Sequence, residues 1–186
     1  AEDRLVNINY PGFNNFSLFA YDVFSRNVLI EEATSGSVTS RKQFVWTGLN
    51  RKEERDESGL LIKRFLAEGQ LYGSTKYFYA QDHLGSVHEM TDDNGAIHAR
   101  YLYSPYGETT AVSQSVSTDF SFSSYYVHSR SSLCLSVFRQ YSSLLARWPN
   151  RDPIGENGGV NLNGYCGNRP ITWSDPTGLL WEQENR

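Results

Sequence analysis

A pattern that occurs twice in the first hundred residues constrains this chain more than any other feature. A ring-rich stretch leads to an Asp-x-x-Gly turn and then to a β-branched or aliphatic stretch that closes on an aromatic residue. In the first copy Gln43-Phe44-Val45-Trp46 precedes Asp56-Glu57-Ser58-Gly59 and Leu60-Leu61-Ile62-Lys63-Arg64-Phe65. In the second, Lys76-Tyr77-Phe78-Tyr79 and a Gly85-Ser86-Val87 strand precede Asp92-Asp93-Asn94-Gly95 and Ala96-Ile97-His98-Ala99-Arg100-Tyr101-Leu102-Tyr103. Asp at the head of such a turn supplies local hydrogen bonds, and Gly at its end supplies the positive φ that tight hairpins demand. Hairpin-sized repeats bury one face on the next unit and so stack into a spiral or solenoid. An all-β fold of antiparallel hairpins is predicted.

The segments around these copies fit the same reading. Phe16-Ser17-Leu18-Phe19-Ala20-Tyr21-Asp22 alternates rings with small or polar residues, Val28-Leu29-Ile30 begins a second strand, and Thr34–Ser40 reads as a polar turn. Helical signals are confined to Arg51–Glu57 and Leu144-Leu145-Ala146-Arg147, each enough for a turn or two. Residues 1–110 are read as hairpins. Residues 111–136 are a Ser-rich connection followed by a strand pair, Phe120-Ser121-Phe122 with Leu133-Cys134-Leu135-Ser136-Val137-Phe138, around a turn at His128–Ser132. Residues 137–179 form a loop-rich cap, rich in Gly, Asn and Pro, and 180–186 are a short tail.

Composition excludes several classes. Aromatics make up 14% of the chain, which argues against disorder and for rings packed across strands. No apolar run approaches the roughly 20 residues of a membrane-spanning helix. A net charge of −4 disfavours a general electrostatic grip on nucleic acid. The chain starts at Ala1 with no basic and apolar leader, so a processed chain or a fragment is expected, with any export signal outside it. Cys134 and Cys166 are too few for a disulfide scaffold or a zinc site, and are either buried thiols or a pair. His83, His88, His98 and His128 match no zinc spacing, and no phosphate-cradling Gly loop or nucleophile elbow is present, so no metal and no cofactor is expected. Trp46, Trp148, Trp173 and Trp181 either pack across strands or build a sugar-stacking surface.

The cap holds the residues with chemical potential. Asp152 and Asp175 each head an Asp-Pro-x-Gly segment, the preferred sequence of a type I turn. Two carboxylates brought close together cannot both ionise, so such a pair shares a proton and can supply both a base and an acid for peptide hydrolysis. A cation such as Arg139 would keep one member ionised or steady a developing oxyanion.

Tyr79-Ala80-Gln81-Asp82-His83-Leu84-Gly85-Ser86-Val87, Thr91-Asp92-Asp93-Asn94-Gly95 and Tyr101-Leu102-Tyr103-Ser104-Pro105-Tyr106-Gly107-Glu108 resemble the RHS (YD-repeat) family. The tail carries a stronger likeness, to the RHS-associated core domain. It runs through Arg139-Gln140-Tyr141, Arg147-Trp148, Asn150-Arg151-Asp152-Pro153-Ile154-Gly155-Glu156, Asn161-Leu162, Tyr165, Gly167-Asn168 and Asp175-Pro176-Thr177-Gly178-Leu179. The resemblance, which extends to the C subunits of insecticidal toxin complexes, implies a curved β-ribbon wound into a hollow shell. The loop-rich C-terminal cap would close one end. It also implies an aspartic-type self-cleaving protease that cuts its own chain once, here between Leu179 and Leu180, with Arg139 and Asp152 tied to cleavage and Asp175 as their partner.

The chain departs from the family pattern at Ser142-Ser143 and Ala146, where Asp-Pro and Gly are usual, and at Arg169, where Asn is common before Pro170. These changes spare the three charged residues and bear on the turns that position them. Seven residues follow Leu179, too few for a toxin domain. The leading expectation is the self-processing core of a polymorphic-toxin-like protein, secreted or on a bacterial surface. Its partners would be its own chain or other YD-repeat shell segments. The rivals are a non-enzymatic β-protein that assembles edge to edge into a homo-oligomer or filament, and a glycan-binding surface module.

Overall fold

The computed structural model describes residues 4–183. The chain divides into two compact units, Leu5–Lys76 and the residues from Tyr77 onward. The first is an antiparallel meander of β1 (Asn7–Tyr10), β2 (Asn15–Tyr21), β3 (Asn27–Thr34), β4 (Ser37–Thr47), β5 (Asn50–Arg55), β6 (Leu61–Leu66) and β7 (Gly69–Tyr72), in which each strand pairs with the next. Its buried face carries Phe19, Ile30, Phe44 and Phe65, while Leu18, Val45 and Leu66 point outward, the period-two alternation of a pleated sheet.

β8 (Thr75–Gln81) leads into the second unit, where β9 (Val87–Asp92), β10 (Ile97–Tyr103) and β11 (Thr109–Gln114) continue as a meander. Tyr77, Met90, Ala99 and Tyr101 are buried together on its inner face. Beyond β11, β12 (Tyr126–His128), β13 (Leu133–Leu135) and β14 (Gln140–Tyr141) form one small sheet, and β15 (Trp173–Ser174) pairs with β16 (Glu182–Gln183) in another. Three 3-10 turns, at Phe122–Ser124, Gly155–Gly158 and Cys166–Asn168, are the only helical pieces among the described residues. The predicted all-β, antiparallel-hairpin class is what forms.

The Asp-headed turns share one wiring. At Asp22, Asp56, Asp82 and Asp92 the side-chain Oδ1 accepts the amides two and four residues on, at 2.8–3.0 Å. The main chain closes the loop with paired bonds between positions one and five and one and four. The free oxygen takes a cation or ring: Arg26 on Asp22, His88 on Asp82 and His98 on Asp92, the last two at 3.2 and 3.0 Å. Two of the four histidines therefore serve as turn partners.

Several local expectations are corrected. Arg51–Glu57 is not helical, since Asn50–Arg55 is β5. Its charges are met across strands, Glu53 by Arg64 and Glu54 by Lys42, and Arg51 lies over the Phe44 ring at 3.9 Å. The Thr34–Ser40 turn shrinks to Ser35-Gly36, with the polar residues beyond it inside β4. Gly85 and Ser86 belong to the Asp82 turn rather than to a strand. Thr109–Gln114 is exposed at every position yet forms β11. The partner of Leu133–Leu135 is Tyr126–His128, while Phe122 lies in a 3-10 turn. Leu144–Arg147 is a tight turn closed by the Ser142–Arg147 bridge, with Ala146 at φ +52° where the family pattern has Gly.

Candidate active site

An aromatic cluster sets the frame. Phe122, Tyr125, Tyr141, Trp148 and Tyr165 are buried in contact, with Tyr141 and Tyr165 ring centres 4.4 Å apart. Such pairs add about 0.5–1.5 kcal/mol each beyond the area they bury. Cys134 and Cys166 lie in the same cluster as free thiols, and burial pushes both up to about 12. The unpaired alternative is the one realised.

Arg139 enters from the residue before β14, and its guanidinium lies over the Trp148 ring at 4.3 Å. It is 4% exposed. Nη2 faces Asp152 Oδ2 at 2.9 Å and Asp175 Oδ2 at 3.3 Å, Nη1 donates to the Leu162 carbonyl at 3.3 Å, and Nε donates to the Gly178 carbonyl. All three charged residues singled out in the sequence thus meet at one buried point. Burial lowers the affinity of the guanidinium for its proton while both carboxylates oppose that shift.

The turn reading and the site reading of Asp-Pro-x-Gly turn out to be compatible. Asp152 Oδ1 accepts the Ile154 amide at 3.0 Å, and its carbonyl accepts the Gly155 amide. Asp175 Oδ1 accepts the amides of Gly178 at 2.8 Å and Leu179 at 3.0 Å. One oxygen of each carboxylate holds a turn and the other faces Arg139, the division of labour seen in the hairpins. Burial raises the pKa of Asp175, assisted by the nearby Asp152 charge and opposed by Arg139 and the two amides. Tyr125 donates its hydroxyl to the Asp175 carbonyl at 2.6 Å, fixing the backbone of that turn from the aromatic cluster.

The Leu179–Leu180 bond lies beside this group. A Cβ on Gly158 would stand 2.5 Å from Asp152 Oδ2 and 3.0 Å from the Leu179 carbonyl oxygen, so only glycine lets carboxylate and carbonyl approach the same spot. A Cβ on Gly178, at φ +83°, would press on Arg139 Cβ at 3.1 Å and collide with Ser136 Oγ. Gly158, Tyr125 and Trp148 as supports of the site were not singled out from sequence. Their signal is three-dimensional, since Gly158 and Asp152 belong to one loop but meet Leu179 only through folding. Of the expected tail, Glu184, Asn185 and Arg186 lie outside the described residues.

The all-β fold is shared with chains of solved toxin complexes. The chain superimposes on the crystal structure of TcdB2-TccC3-TEV with a TM-score of 0.72 and 17% identity, over 96% of this chain and 10% of that one. It superimposes equally on the Photorhabdus luminescens Tc holotoxin pore, with a TM-score of 0.71 and 19% identity, over 97% of this chain. In sequence it is 26% identical to double-stranded DNA deaminase toxin A of Burkholderia cenocepacia, over 96% of this chain and 15% of that protein. It is 28% identical to toxin protein Tse5 of Pseudomonas aeruginosa, over 64% of this chain and 10% of that protein. The tRNA3(Ser)-specific nuclease WapA of Bacillus spizizenii is 27% identical over 96% of this chain and 8% of its own length. No protein-family model matches. The resemblance to RHS (YD-repeat) proteins and the TccC type of toxin subunit stands, and the chain spans less than a sixth of the length of these curated relatives.

Proposed function

We propose that residues 137–179 form an aspartic-type autoprotease that cuts the chain once, between Leu179 and Leu180, within an exported polymorphic-toxin-type protein. The observation that carries this reading is the buried Arg139 bridging Asp152 and Asp175 beside the Leu179 carbonyl. Asp152, paired with Arg139, takes a proton from water, and the water oxygen bonds to the Leu179 carbonyl carbon. Asp175, whose pKa burial raises, gives its proton to the Leu180 nitrogen. The carbon–nitrogen bond breaks, leaving a Leu180 amine and a Leu179 carboxylic acid, which passes its proton to the now ionised Asp175. Arg139 holds both carboxyl groups in register and costs no reorganisation during the reaction.

The test is intact mass under denaturing conditions. The wild type loses the mass of Leu180–Arg186, whereas Asp152→Asn and Arg139→Ala stay whole. An unchanged wild-type mass after days at neutral and mildly acidic pH rejects the enzyme reading.

We further propose that the hairpins are a segment of a larger β-shell, closed at one end by the cap. β11 is the last strand of its sheet and exposed at all six positions, an edge suited to pairing with further chain. Static light scattering that shows no concentration-dependent assembly would count against free edge-to-edge association and favour pairing within one long chain.

A further inference from the structure

We propose that the cap contains a peptide site for the segment downstream of the cut, anchored by Trp181, that aligns the Leu179–Leu180 bond and retains the released segment after hydrolysis. The alignment role rests on the autoproteolysis reading, whereas the docking of the segment does not.

Beyond Leu179 the chain turns back onto the cap. Ser174 pairs with Glu182 and Trp173 with Gln183, so the bond to be cut lies in the loop of a hairpin whose two ends are joined. Trp181 fastens that loop from the downstream side. Its ring meets Trp173 edge to face at 4.8 Å, and its Nε1 donates to the Gly158 carbonyl at 3.4 Å. Its Cζ2 lies 3.4 Å from where a Gly167 Cβ would stand, so the bare backbone of Gly167 forms one wall.

Gly158 gives the contact its meaning. The residue whose carbonyl receives Trp181 is the one whose α-carbon faces both Asp152 and the Leu179 carbonyl. On the upstream side Leu179 is tied through its amide to Asp175, and Gly178 through its carbonyl to Arg139. The bond is therefore held from both directions, the condition for a near-attack geometry. Leu180 is 59% exposed and Trp181 37% exposed, so the recognition element is the second residue past the cut. The ligand class is an extended peptide with an indole at its second position. None of these contacts depends on the Leu179–Leu180 bond being intact, so the segment stays bound without it.

The experiment uses the full chain in two backgrounds. In Asp152→Asn, amide hydrogen exchange by NMR is read at Glu182 and Gln183 with Trp181 present, replaced by Ala, or replaced by Phe. In the otherwise wild-type chain, the cleavage half-time is read by denaturing mass and tail retention by native mass. Trp181→Ala is expected to lose protection at Glu182 and Gln183, with Cys134 and Tyr141 unchanged, and to slow cleavage by roughly ten- to a hundredfold. Trp181→Phe recovers part of both, and the cut wild type keeps its tail in native mass. Unchanged protection in Trp181→Ala, or a cut wild type that has shed its tail in native mass, overturns the site. Lost protection in Trp181→Ala together with a wild type that never cleaves supports the peptide site and overturns the autoproteolysis reading instead.

Discussion

The amide of Leu179 donates to Asp175 Oδ1 at 3.0 Å, so a buried carboxyl group is bonded to the residue that supplies the proposed scissile carbonyl. This bond also caps a turn. The same oxygen accepts the Gly178 amide, and together the two bonds make the position of the carbonyl a consequence of the turn.

Substitutions at Asp175 separate the two roles. Asn keeps an oxygen for both amides while its NH2 replaces Oδ2 opposite Arg139, so Asp175→Asn is expected to fold at a smaller cost than Ala and to lose cleavage, because an amide cannot give up a proton as a carboxylic acid does. Asp175→Ala leaves the buried Gly178 amide and the half-buried Leu179 amide without that acceptor and is expected to cost about 1–3 kcal/mol of stability as well. Urea unfolding alongside intact mass distinguishes them, and equal destabilisation by both would show that the turn does not rely on Oδ1.

The pH dependence follows from the raised pKa of Asp175. As the acid it must be protonated, so cleavage accelerates as pH falls through that raised value. Folded Asp175 holds its proton more tightly than the unfolded chain does. Its contribution to stability is therefore complete below the ordinary value of 3.8 and is lost as pH rises through the raised value. Rates measured from mildly acidic to alkaline buffers check the profile, and a rate that climbs steadily into alkaline pH contradicts the assignment.

Ala146 holds a left-handed backbone, φ +52°, within the turn that joins Tyr141 to Trp148. That conformation costs an L-residue roughly 1–2 kcal/mol. Ala146→Gly is expected to stabilise the protein by about 0.5–1 kcal/mol, part of the relief being offset by the added freedom of the unfolded chain. Thermal unfolding reads this as a modest rise in Tm, and no rise would mean that the turn relaxes around Ala.

Cys134 and Cys166 are buried thiols pushed up to about 12. The thiolate is the reactive form, and burial disfavours it at both positions. Iodoacetamide is expected to leave both unlabelled in the native protein and to label both in urea. Labelling at the native rate of an exposed thiol would show that the aromatic cluster opens.

Local chemistry wrote the hairpins into the chain in readable form. An Asp whose Oδ1 binds amides a few residues on needs no distant partner, which is why Asp56 and Asp92 announce their turns through amides two and four residues on, Asp152 through the amide two on, and Asp175 through those three and four on. The RHS-like order of Arg139, Asp152 and Asp175 was legible for the same reason, as three residues set in short motifs. Charge misled where the partners were remote. Arg51–Glu57 looked helical because nothing nearby in sequence shows that Lys42 and Arg64 lie across strands to meet Glu54 and Glu53. The convergence of the site belongs to the same class. Asp175 reaches Arg139, Tyr125 reaches Asp175 and Trp181 reaches Gly158 only when long loops close over a buried cluster of rings. Turns are settled by neighbours a few bonds apart. Which carboxyl group loses its water, and which peptide bond lies beside it, is settled by packing between segments far apart along the chain, and no local pattern records that.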